Sequence, residues 1–206
     1  MGAAGELVSF RTDLVQPLEA DTILDDFVQS LRIVQQGYKV VYEPKAYAME
    51  APSPSIAEEM KRKIRISAGG WQSMARLKGL LNPLPQPTVT FLYVSHRVLR
   101  WSLTPLLLAL LLPLNLLLLA TGKAIYPVLL AGQLAFYAAA WLGWKSELRG
   151  KKVKVLLVPL YFCLMNIAVF AGFRRYIRKS QPAAWEKAGR TVLHPAVVKN
   201  QTQEHL

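Results

Sequence analysis

The sequence predicts an α/β segment followed by an α-helical transmembrane region of about three spans. Three observations carry this expectation. The 206 residues are 52% hydrophobic with positive mean hydropathy, yet the net charge is +12. A soluble domain of that composition would expose a large apolar surface. The charge is also divided by position: residues 1–90 hold ten Lys/Arg and ten Asp/Glu, whereas residues 91–206 hold fifteen and three. Finally, the second half contains three uncharged runs, each long enough to cross a hydrocarbon core of about 30 Å. Basic residues that punctuate apolar runs fit cationic anchors at a membrane edge better than a nucleic-acid surface, so no nucleic-acid partner is expected.

Residues 1–87 divide into short elements. Residues 6–10 are partly β-prone. Asp21 offers an N-cap to a helix over 22–36, with Phe27, Leu31 and Val34 on one stripe and Gly37 as its stop. Residues 38–42 (YKVVY) read as a strong strand, and residues 46–49 as a weaker one. Ser55 and Glu58 have the spacing of a capping box and open a basic helix, which the Gly69-Gly70 pair is expected to interrupt. Three prolines between 81 and 87 mark a linker.

Residues 88–180 form the membrane region. Residues 92–99, with His96 and Arg97, fit the bilayer interface, and the expected spans are 102–120, 124–144 and 153–173. Pro113 and Pro159 fall inside two of them. Beyond hydroxyls and Lys154 at the edge of the third, their only polar side chains are Asn115, Gln133 and Asn166, too few for a transport pathway. The positive-inside rule would put both basic clusters, 145–154 and 174–179, in the cytoplasm. They flank the same apolar run, so either the rule fails at one end or that run is re-entrant. A cytoplasmic 145–154 loop leaves residues 1–90 cytoplasmic across two spans, with the polar tail 181–206 on either side.

Cys163 is the sole cysteine, and His96, His194 and His205 lie far apart, so neither a disulfide within the chain nor a Cys/His metal site is expected. MGAAGELVSF lacks the basic and apolar regions of a signal peptide, and Glu6 stands where myristoylation wants Ser or Thr.

Two groups bear chemistry. Asp25 and Asp26 are adjacent carboxylates at a helix start. There they either complement the helix's partial positive charge or act as a general base toward a hydroxyl. Lys61, Arg62, Lys63 and Arg65 are four cations in five residues: a solvated or membrane-facing surface, or a clamp for a diphosphate.

Several stretches together resemble membrane-bound family 2 glycosyltransferases, relatives of cellulose, hyaluronan and poly-N-acetylglucosamine synthases. They are Gly5-Glu6-Leu7-Val8-Ser9-Phe10-Arg11, Asp21-Thr22-Ile23-Leu24-Asp25-Asp26-Phe27 and Gly37-Tyr38-Lys39-Val40-Val41-Tyr42-Glu43-Pro44. Ala46, Glu50, residues 65–72 and Trp185-Glu186-Lys187 extend the likeness. The resemblance implies the C-terminal part of a glycosyltransferase A-type domain, with Asp26 as catalytic base and Asp25 in place of the family's Glu. It implies an inverting hexosyl transfer from a nucleotide-sugar donor to a glycan or lipid acceptor, as in polysaccharide biosynthesis. Arg65 matches an arginine that contacts the donor diphosphate. Arg62 stands where the family has Gln, and Ile66 where it has an acceptor-stacking Trp, a role for which Trp71, beside Gln72, is a substitute.

The family's nucleotide-binding half carries an Asp-x-Asp motif that holds Mg²⁺ or Mn²⁺, and this sequence has no Asp-x-Asp. The expectation is therefore a fragment with no cofactor of its own, inactive alone and embedded in the bilayer, whether it comes from a split gene, a truncated frame or a subunit whose N-terminal half is separately encoded. The alternative is a non-catalytic membrane scaffold that retains a glycosyltransferase remnant.

Overall fold

The computed structural model describes residues 7–48, 53, 55–151 and 153–184. A 3₁₀ turn at Thr12–Leu14 precedes α1 (Asp25–Gln35) and α2 (Ile56–Arg76). After a 3₁₀ turn at Lys78–Leu81 come α3 (Pro87–Tyr93), a π-helical turn at Val94–Val98 and the short α4 (Leu99–Trp101). The long helices α5 (Leu103–Leu118), α6 (Ile125–Leu148) and α7 (Lys154–Ile177) complete the order.

The expected α/β fold is not what forms: among the described residues there is no strand. The YKVVY run at 38–42 is irregular, with Val41 and Tyr42 more than 80% exposed. A strand is stabilised by its ladder, and no segment among the described residues offers these residues one. Residues 7–10 are likewise unpaired; Glu6, Met49 and Glu50 lie outside the described residues.

Two helix boundaries also differ from expectation. Asp21 caps nothing, because its carboxylate is bound by Arg76; α1 begins at Asp25 instead, with Leu24 at the N-cap. Its end agrees with expectation, since Gly37 follows with φ of 93°. Ser55 caps α2 as expected, accepting from the Glu58 amide at 3.2 Å. Yet α2 runs straight through Gly69-Gly70. A Cβ at Gly69 would lie 2.6 Å from Leu24 Cγ, and one at Gly70 would lie 2.6 Å from the Trp101 ring. The pair permits close approach by two neighbours, and that packing outweighs a helix-propensity cost of about 1 kcal/mol per glycine.

The hydrophobic core joins Phe27, Val28 and Leu31 of α1 to Leu77, Leu80, Tyr93 and Trp101. It therefore seats α1 on the end of α2 and on the segment that leads into the membrane region. Three helices are long and apolar enough to cross a membrane: Leu103–Thr121, Ile125–Leu148 and Lys154–Ile177. Their leucines and aromatics are extensively exposed, as a lipid-facing surface requires. Asn115 Nδ2 donates to Gln133 Oε1 at 2.7 Å, so α5 and α6 satisfy their polar side chains mutually.

Candidate functional site

One face of α2 organises the site. Arg62, Arg65, Gly69, Gln72 and Arg76 recur at helical spacings of three and four, which aligns them along the helix. The segment from Asp21 to Asp26 runs antiparallel beside that face. Arg76 Nη2 donates to Asp21 Oδ1 at 2.6 Å and Nη1 to Thr22 Oγ1 at 2.8 Å. The Ile23 amide donates to Gln72 Oε1 at 2.9 Å, and Gln72 Nε2 donates to the Asp21 carbonyl at 2.8 Å. Leu24 and Ile23 lie over Gly69. One turn further on, Asp25 and Asp26 act electrostatically on Arg65.

Both candidate carboxylates thus stand in the first turn of α1, where the helix dipole favours negative charge. Asp25 is exposed and Asp26 half-buried. Burial lowers the pKa of Arg65 below its ordinary value, and the negative charges of Asp25 and Asp26 oppose that shift. Arg97 is placed similarly. Burial and Arg100 lower its pKa, whereas Asp26 raises it. Its guanidinium lies 4.9 Å from the Phe27 ring centre and 5.7 Å from that of Trp101. The charge of Asp26 therefore acts on cations from two different elements, α2 and the π-helical turn.

The basic stretch of α2 divides by role. Lys61 pairs with Glu58 at 2.7 Å and Lys63 with Glu59 at 3.2 Å, so both lysines balance acids of the helix's own first turn. Arg62 is half-buried and acts electrostatically on Glu59. Arg65 turns to the acidic pair, and its Nη2 donates to the Ala183 carbonyl at 2.9 Å, beyond α7. Trp71 faces α7 instead, with its ring centre 4.6 Å from that of Phe173 and its indole N–H buried without a hydrogen-bond partner.

The structure therefore brings Asp25, Asp26 and Arg65 together, sets Gln72 beside them as a clasp on the preceding loop, and turns Trp71 toward α7. Trp185, Glu186 and Lys187 lie outside the described residues. Sequence reasoning passed over Arg76 and Arg97. The signal for Arg76 was the continuation of the Arg65–Gly69–Gln72 spacing by four; Arg97 had none, because its approach to Asp26 depends on tertiary packing. Among the described residues, no three His, Cys, Asp or Glu side chains converge as metal ligands.

No curated protein and no solved structure matches the chain. A family model does, described as glycosyl transferase family group 2, over residues 2–142. That stretch contains Asp25, Asp26, all of α2 and the first long apolar helix. With well over half its length matched, the chain belongs to glycosyl transferase family group 2.

Proposed function

We propose that this chain supplies the acceptor side and membrane portion of an inverting glycosyltransferase of the synthase type, with Asp26 as its general base. The observation that supports this most is the meeting of Asp26 with Arg65 at the first turn of α1, within the part of the chain that the family model matches. In this reading Asp26 takes the proton from an acceptor hydroxyl. The freed oxygen attacks the anomeric carbon of a nucleotide sugar, a new C–O bond forms, and the bond to the diphosphate breaks to release nucleoside diphosphate. The helix terminus and the two arginines set positive charge around Asp26, which suits a base that acts as a carboxylate.

Arg65 holds the acidic motif in the absence of donor and turns toward the diphosphate when donor is present, with Arg62 beside it. Loss of that cation from Asp26 strengthens the base at the moment the acceptor is to be deprotonated. Asp25 completes the acidic pair, and Gln72 fixes the loop that leads into it. The donor-binding half, with its Mg²⁺ or Mn²⁺, is supplied from outside this chain, and residues 1–90 are cytoplasmic.

Reconstitution tests this. The purified chain is assayed with nucleotide sugars alone and with a co-expressed nucleotide-binding half. Transfer only in the reconstituted pair is the expected result; turnover by the chain alone contradicts the division of labour.

A further inference from the structure

The two ends of the apolar region meet on one turn of α2. At its entrance, Trp101 lies directly on Gly70, two residues before α5 begins. At its exit, Gly172 of α7 lies against Ser67, whose hydroxyl donates to the Val169 carbonyl at 3.3 Å, and Phe173 stacks on Trp71. The chain beyond α7 then reaches Arg65 through the Ala183 carbonyl. Residues 67 to 71 span only about 6 Å of helix. Since α2 carries Lys61, Arg62, Lys63 and Arg65, it does not belong in hydrocarbon. Entrance and exit therefore lie on the side that α2 occupies. Three complete crossings would instead leave them on opposite faces of a core about 30 Å thick. The number of full crossings must be even, and at least one of the three apolar helices does not cross.

Three observations single out α7. In its apolar window 22% of residues are buried against the rest of the protein, compared with 6% in each of the other two helices. Its principal partner is the polar helix α2, not a membrane helix. Its flanks are also the two basic clusters, 145–154 and 174–179. The positive-inside rule asks for both on one side, which is possible only if the helix between them does not cross.

We propose that α5 and α6 cross as a hairpin whose tip is residues 122–124, and that α7 is held against α2 without crossing. Both basic clusters and the chain after α7 then face the same side as Asp26. This inference concerns topology alone and stands whether or not Asp26 is a catalytic base.

Cysteine accessibility tests it on the full chain. In a Cys163→Ser background, single cysteines replace the exposed residues Ser9, Lys123, Lys151 and Ser180. A membrane-impermeant maleimide is then applied to intact and to permeabilised cells. Ser9→Cys, Lys151→Cys and Ser180→Cys are expected to share one labelling pattern and Lys123→Cys to show the opposite one. Ser180→Cys labelling together with Lys123→Cys would show three crossings and overturn the proposal. Lys151→Cys differing from the other three would make α6 and α7 the crossing hairpin and overturn the assignment to α7. One pattern at all four positions would mean that nothing crosses, and overturns it equally.

Discussion

Gln72 clasps the chain at Ile23: its carbonyl oxygen takes the Ile23 amide at 2.9 Å, while its own amide donates to the Asp21 carbonyl at 2.8 Å. The side chain substitutes for a strand partner and fixes the loop that delivers Asp25 and Asp26. Because Ile23 is only 4% exposed, an orphaned amide there has little access to water. Gln72→Ala is expected to cost about 1–3 kcal/mol. The neighbouring Arg76–Asp21 pair has an Asp21 side chain 75% exposed, so Arg76→Met should cost less and lose its effect in high salt. Chemical denaturation in detergent at two ionic strengths separates the two; equal costs with equal salt dependence would contradict this account.

Gly172 is expected to tolerate no side chain. A Cβ there would sit 2.5 Å from Ser67 Cβ and 2.8 Å from the Ala68 amide nitrogen, neither of them the end of a flexible group. Gly172→Ala should therefore destabilise by about 1–3 kcal/mol by forcing α7 off α2. Gly132 of α6 has open space around it, so Gly132→Ala should be neutral or stabilising by up to about 1 kcal/mol. Thermal unfolding of the two variants side by side reads the difference.

Tyr93 gives the fold an alkaline limit. Its ring is fully buried and its hydroxyl has no hydrogen-bond partner, and burial pushes its pKa up to about 12 despite the opposing charge of Arg97. Below the ordinary tyrosine pKa of about 10 both states keep the proton, and stability is unaffected. Between about 10 and 12 the unfolded chain loses the proton and the folded one does not, so stability falls by about 1.4 kcal/mol per pH unit. Tyr93→Phe should remove that slope and cost little at neutral pH, since it also removes an orphan hydroxyl. Unfolding midpoints from pH 9 to pH 12 provide the check.

Arg97 and Asp26 are expected to be energetically coupled. Single variants Arg97→Gln and Asp26→Asn each remove one side of this interaction, and the double variant should recover about 0.5–3 kcal/mol relative to their sum. Arg97→Lys should not fully rescue, because the planar guanidinium over Phe27 and Trp101 is replaced by a compact ammonium. Additive effects in the cycle would show that the two side chains act separately.

The membrane helices were legible in the sequence because an uncharged run of nineteen or more residues has few other readings. The capping of α2 by Ser55 and the stop at Gly37 were legible because each depends on neighbours in sequence. The strand at 38–42 was misjudged because β propensity is realised only when a partner strand is present. Gly69-Gly70 read as a break because a helix-breaking tendency is local, whereas the Trp101 ring that fills the space lies thirty residues away. The acidic pair and Arg65 were visible as motifs. Their meeting, and the arrival of Arg97, depend on how α1, α2 and the π-helical turn dock, which spacing does not encode.

The most direct test of the central claim is transfer by the reconstituted enzyme carrying Asp26→Asn, with Asp25→Asn alongside and the unfolding temperature of each recorded. A general base contributes about 10²–10⁴-fold. The account predicts a loss of that size for Asp26→Asn in folded protein and a smaller one for Asp25→Asn. Unchanged transfer by folded Asp26→Asn would contradict it and leave this chain a membrane scaffold built on a glycosyltransferase remnant.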